Sequence, residues 1–299
     1  MLAKKDKVLY LAVITLALLL GLSYIKACSS SDKRESIKSS LVNAKYQSSI
    51  NQIDLYNTNG LLSLKKISNK AFSFWVLADK DGSYLSPADS QKVENMILEL
   101  TKVRSMYKLS DKININSSFG LTDSSAFHIK YYYSEGFHDL TFGNQDFSLS
   151  GRYLMTDKNT NVYEINSDLD SYLSTSLQSW SEPFIISQQV LGKLSVNDIQ
   201  SCKTLYQNKT SKIVDIQKLL DLRKGGIPSQ NITLDPEKLD FQIWLEIGNK
   251  SQIEMQIYKT DDESQFVIKT IYINSDKSKT EYNSYISLWT YNKIKEITL

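Results

Sequence analysis

The chain has 299 residues, with 35 basic against 33 acidic side chains, a net charge of +2, two cysteines and 41% hydrophobic residues. That length allows one large or two ordinary domains with a sizeable core, and 18 Tyr, 10 Phe and 4 Trp exclude disorder over the bulk of the chain. Two cysteines give no disulfide scaffold, and balanced charge with only four arginines gives no nucleic-acid-binding surface.

Lys4, Lys5 and Lys7 precede an uncharged run over 8–25, whose 18 residues span roughly 27 Å as a helix, enough to cross a bilayer. The lysines keep the N-terminus inside, so the remainder is expected on the outer, periplasmic side of the cytoplasmic membrane as a single-pass protein. Three fates compete: an uncleaved anchor, lipidation at Cys28, or a cleaved signal. The uncleaved anchor is preferred, because a secretory signal has an apolar core of only about 7–15 residues. Lys26 stands where a lipoprotein signal has a small residue, although the serines after Cys28 suit a lipid-anchored tether. Residues 1–28 are thus read as anchor or signal, and the Ser-, Asn- and Lys-rich stretch 29–49 as a solvated stalk. Residues 1–45 carry +5 and the rest −3, so the near neutrality averages two unlike parts.

A first β-rich module is expected over 50–186. Strands at 50–56 and 61–67 flank Asn57-Thr58-Asn59-Gly60, a tight hairpin turn, and 72–77 adds a third. Ser86 reads as a helix cap with Pro87 at the first helical position, followed by Val93, Met96, Ile97, Leu100 and Val103 on one apolar face. Strand pairs follow at 127–133 with 137–143 and at 153–156 with 162–165, then a helix over 168–180 carrying Leu169, Leu173, Leu177 and Trp180.

A second module is expected over 187–299. Ile213, Ile216, Leu219 and Leu220 keep helical spacing until Gly225-Gly226, read as its stop. Strands follow at 241–247, 252–258 and 266–273. The closing stretch from Tyr282 to Ile297 fits a helix or a last strand, with helix preferred. Phe127 and Phe241 open similar strand series 114 residues apart, and Trp180 and Trp289 close them 109 apart, the pattern of two related modules. The fold class is therefore α+β and β-rich: an N-terminal transmembrane helix, then two modules of short antiparallel strands with a few packing helices.

Phe74-Trp75-Val76-Leu77, Ser86-Pro87-Ala88-Asp89, Phe119-Gly120-Leu121, Leu140-Thr141-Phe142-Gly143, Tyr153 and Val162-Tyr163 resemble the domain-of-unknown-function family 4340 over roughly residues 60–185. The resemblance implies a bacterial envelope protein working beside an ABC-2-type permease, its ATPase and a gliding-motility-type auxiliary component. It departs at Phe119, where the family more often has tyrosine, and at 179–183, where an arginine-containing segment is usual. Its motifs are turn and packing residues, so no catalytic residue carries over.

Chemistry is sparse. His128 alternates with core-facing Phe127 and Ile129, and the hairpin register does not set it opposite His138. Asp261-Asp262-Glu263 lacks the pattern of a calcium loop, and Cys28, Cys202 and the two histidines have no metal-ligand spacing. Cys202 reads as buried filler. No enzyme activity, cofactor, metal or nucleic acid is expected. Two functions remain: an adaptor subunit docking on the permease, or a module binding a glycan, lipid or peptide through tyrosines such as Tyr131, Tyr132 and Tyr133. Whether a small molecule binds is left open.

Overall fold

Alternating apolar and polar side chains, the period of a strand with one buried face, run through most of this chain and build two antiparallel sheets. The computed structural model describes residues 15–16, 36–68, 73–79, 81–110, 117–156, 161–192, 194–207, 209–212, 215–228, 232–248 and 250–298. Cys28 and nearly all of the apolar run 8–25 lie outside them. No helix among the described residues is long and apolar enough to cross a membrane. The body is a β-rich α+β fold.

The first sheet has ten strands in the order β1-β6-β10-β9-β8-β7-β2-β3-β4-β5. They are β1 (Ser36–Ser39), β2 (Gln52–Asn57), β3 (Gly60–Ser68), β4 (Ser73–Ala78), β5 (Tyr84–Pro87), β6 (Arg104–Ser110), β7 (Phe127–Tyr133), β8 (Gly136–Gln145), β9 (Gly151–Thr156) and β10 (Val162–Asn166). Helix α1 (Ser90–Thr101) lies on one face, burying Val93, Met96, Ile97 and Leu100. The second sheet has six strands in the order β12-β11-β13-β14-β15-β16. These are β11 (Ile199–Tyr206), β12 (Lys209–Lys212), β13 (Leu239–Ile247), β14 (Gln252–Lys259), β15 (Gln265–Ile273) and β16 (Lys279–Ser287). Helices α3 (Ile216–Leu220) and α4 (Leu288–Thr298) cover its core through Leu219, Leu220, Tyr291 and Ile294. Cys202 is a free thiol in this core, where burial pushes its pKa up to about 12 and leaves it inert.

Several expectations are corrected. The stretch 36–49 is not a stalk. Ser36–Ser39 pairs with β6, Leu41 and Val42 are buried with both amides donating to Leu100 O, and Asn43 caps a 3-10 turn at Ala44–Ser49. Ser86 and Pro87 form β5 rather than the start of α1. Ala88 N donates to Trp75 O, which keeps the backbone extended past Pro87, and Asp89 is the cap, accepting from Lys92 N at 3.0 Å. Val103 lies beyond the helix and is exposed.

The helix expected over 168–180 is broken into a 3-10 turn at Ser167–Tyr172 and the short α2 (Leu177–Trp180). Between them Ser174 Oγ takes bonds from Ser176 N and Ser179 Oγ, the local competition by which serines interrupt helices. Its carbonyl accepts from Trp180 Nε1 at 2.7 Å, so Leu169 and Trp180 are buried, and Leu173 and Leu177 partly so, without a continuous helix. Gly225 and Gly226 do not end a helix either; α3 has stopped at Leu220. The glycines lie along the edge of β16, Gly225 N donating to Tyr285 O and Tyr285 N to Gly226 O. The closing stretch is both strand and helix, β16 followed by α4.

Gly143 explains one of the family-like pairs of motifs. Asn144 N donates to Phe119 O at 2.8 Å, laying the 119–121 strap across β8. A Cβ on Gly143 would come 2.2 Å from that same carbonyl and 3.0 Å from Leu121. Gly143→Ala is therefore expected to cost about 1–3 kcal/mol, the usual range for overpacking, read as a lower melting temperature. An unchanged melting temperature would mean that the strap does not need this approach.

Candidate functional site at the junction of the sheets

Strand β4 gives its two faces to different cores. Trp75 and Leu77 pack in the first, while Phe74 and Val76 pack in the second, against Ile186, Phe266 and their neighbours. The junction therefore places polar residues of 181–189 and 222–226 in an interior they share with β5. Lys224, 8% exposed, donates from Nζ to Ser86 Oγ at 2.6 Å. Glu182, 5% exposed, accepts from Ser187 Oγ at 2.6 Å, and Ser187 N donates to the Tyr272 hydroxyl at 2.6 Å.

Burial lowers the Lys224 pKa to about 8, with the Glu182 charge opposing the shift. Burial likewise raises the Glu182 pKa, against the bonds from Ser187 and the pull of Lys224. A lysine and a carboxyl shifted toward neutrality are the raw material of acid–base catalysis. Here both heads are tied to protein partners. Neither residue lines the groove beside them, so the cluster works as a lock between the sheets.

That groove has a volume of about 760 Å³. Its walls include Tyr84 and Leu85 of β5, Tyr258 of β14, Lys269 of β15 and Asn283 of β16. Lys269 pairs with Glu281 at 2.9 Å. Asn283 Oδ1 and the Tyr282 hydroxyl are buried with no hydrogen-bond partner among the described residues. Such orphaned atoms cost about 1–3 kcal/mol each, and a ligand donor could satisfy Asn283.

The tyrosines singled out from sequence do not form one surface. Alternation along β7 buries Tyr131 and turns Tyr133 to the same side, where Tyr133 stacks on His138 and lies 4.2 Å from Tyr46 between ring centroids. Tyr132 is on the opposite face, its hydroxyl donating to Asp54 at 2.9 Å. Burial and that bond push its pKa up to about 12. His128 shares this outer face and stands opposite Thr141, while His138 stands opposite Tyr131, so the histidines do not pair. His128 Nδ1 lies 3.2 Å from Asp139 Oδ1, Tyr56 OH donates to Asp139 Oδ2 at 2.5 Å, and the Tyr56 and His128 rings stack. Burial would raise the Asp139 pKa, but the bonds from His128 and Tyr56 prevail and lower it.

Among the described residues, no three His, Cys, Asp or Glu side chains gather to hold a metal. Sequence reasoning missed Glu182, Lys224, Asp54 and Asp139. For Asp139 a signal existed, since the hairpin register sets it beside His128. Lys224 and Ser86 are 138 positions apart, and no local pattern joins them.

A family profile described as Domain of unknown function (DUF4340) matches residues 75–243. The match runs through the junction, from Trp75 to the core of β13. No curated protein and no solved structure matches the chain.

Proposed function

The chain belongs to the DUF4340 family, and from that premise we propose that it is a membrane-anchored, extracytoplasmic accessory or adaptor subunit of an ABC-type transport system. The observation that carries this reading is the junction. A shared strand, the buried bond from Lys224 to Ser86 and the buried chain from Glu182 through Ser187 to Tyr272 join the two sheets, an arrangement suited to holding a docking surface in place. Only residues 26–35 lie between the apolar run and β1, a reach of at most about 35 Å, so the anchor would hold the block close to the bilayer. Such a role needs no turnover and no cofactor. Its partners would be an ABC-2-type permease and a gliding-motility-type auxiliary component, in the cytoplasmic membrane with the N-terminus inside.

The two modules read as related. Each has a four-strand meander, β7–β10 or β13–β16, followed directly by a helical segment that covers the core. The closing tryptophans are not equivalent, for Trp180 is buried and Trp289 exposed.

The test is extraction of the full chain from native membranes in mild detergent. Co-purification with an ABC-2-type permease and its ATPase is expected, and a clean monomer at physiological salt would refute the reading. A second reading, a glycan-, lipid- or peptide-binding lipoprotein lipidated at Cys28, is favoured by the groove and its orphaned Asn283. The same purified material, heated against a glycan and lipid panel, would gain thermal stability only on that second reading.

A further inference from the structure

The turn between β8 and β9 displays two large apolar side chains that serve neither core. Phe147 is fully exposed and Leu149 is 67% exposed. Leu149 also sits at φ 58°, a left-handed backbone that asparagine or glycine would adopt at lower cost. Its leucine is kept where both solvent and backbone disfavour it.

The turn that carries them is tightly bonded. Asp146 N donates to Gly151 O at 2.9 Å, and Leu149 N donates to Asp146 O at 3.1 Å. The Asp146 carboxylate accepts from Ser148 Oγ, Ser150 N and Gly151 N at 2.8, 3.0 and 3.1 Å. Ser167 N donates to Ser150 O, tying the turn to the end of β10. Phe147 and Leu149 are therefore presented on a fixed support, with little ordering entropy left to lose on binding.

The surroundings select among occupants. Asp146 is in the turn and Asp168 follows Ser167, which bonds Ser150, while the nearby cations Arg104 and Arg152 are already paired with Glu99 at 3.7 Å and Asp170 at 2.5 Å. An acidic rim is repelled by the anionic surface of a cytoplasmic membrane. Register adds direction. Gly151 pairs with Asn166, Arg104 reaches Asn166, and Arg104 pairs with Ser39, so the tip lies at the Ser39 end of the sheet. Ser36, which leads back to the apolar run, is at the other end of β1.

We propose that the 146–150 turn is a preformed anchor that inserts Phe147 and Leu149 into an apolar, basic-rimmed pocket of a partner protein in the same membrane assembly. This rests on the accessory-subunit reading and names the surface that makes the contact. The experiment compares the full-length chain, its Phe147→Ser/Leu149→Ser variant and a Trp289→Ser control, each extracted in mild detergent and sized by sedimentation. The tip variant is expected to keep the wild-type melting temperature, because it loses no core contact. Its share in the large assembly should fall by about tenfold or more, the scale of losing a buried aromatic anchor, while Trp289→Ser stays as wild type. Equal assembly of the tip variant overturns the inference and leaves the accessory reading standing. A wild-type chain that sediments alone sinks both. Tip-dependent flotation of the wild type on protein-free phosphatidylethanolamine/phosphatidylglycerol vesicles overturns it in favour of a bilayer occupant.

Discussion

Lys224→Met is expected to destabilise the protein by about 1–3 kcal/mol, and Glu182→Gln by a similar amount, because each breaks a buried hydrogen bond, Lys224 to Ser86 or Ser187 to Glu182, and removes the opposite charge felt by the other group. Both side chains are more than nine-tenths buried, so solvent screens little of the effect. The double variant should lose far less than the two single losses together, since two neutral groups of similar shape need no counter-charge. Urea unfolding of the four proteins reads the cycle, and strictly additive losses would show that the two groups do not act as a pair. A pH series gives an independent signature. With Lys224 held down to about 8, the unfolded chain keeps a proton that the native protein has lost between there and the ordinary lysine value near 10.4. Stability therefore rises with pH across that window, by up to about 3 kcal/mol, and Lys224→Met removes the rise. The raised Glu182 pKa acts in a lower window with the opposite sign, stability falling as pH climbs through it.

Neighbouring residues on β4 should report on different halves of the molecule. Phe74→Ala and Trp75→Ala are each expected to cost about 3–5 kcal/mol, the range for removing a large aromatic from a packed core. Trp75 also donates from Nε1 to Glu94 at 2.8 Å, so its loss removes a bond to α1 as well and leaves Glu94 to Lys66 alone, at 3.3 Å. Hydrogen exchange separates the two. Trp75→Ala should weaken protection in β2, β3 and α1, and Phe74→Ala in β14 and β15, although one peptide bond joins the two sites. Identical protection maps would mean that β4 does not divide its faces between two cores.

The meanders are legible in the sequence because their signal is local. In β7 and β13 the apolar side chains alternate over seven residues or more, and a Gly-containing turn fixes the register with the next strand. The strands that sequence does not reveal have weaker alternation or depend on distant partners. β1 is four residues of Ser-Ile-Lys-Ser and exists because β6 lies beside it. β5 reads as a helix cap because Ser86-Pro87 suits both states locally, and its pairing with β4, with the bonds from Ala88 to Trp75 and from Glu182 to Pro87, chooses the strand. The site is less legible still. The apolar partners of the junction are recognisable as core, but nothing near Lys224 in sequence marks it as buried. Its neighbours there are Arg223 and two glycines, which read as a solvated turn. The tyrosines of β7 stand out by composition alone, and the two-residue period of the strand divides them between opposite faces.

The division of β4 also constrains the order in which the molecule can assemble. Residues 36–166 can pair all ten strands of the first sheet as they leave the ribosome, with no contribution from residues C-terminal to them. The second sheet can pair its strands too, but its core has Phe74 and Val76 as part of its wall, supplied by a strand made more than a hundred residues earlier. Expressed alone, residues 187–299 would present an open apolar seat where β4 belongs, and with it a route to aggregation. The N-terminal sheet thus acts as the template on which the C-terminal one is finished, and synthesis from the N-terminus delivers the two in the workable sequence.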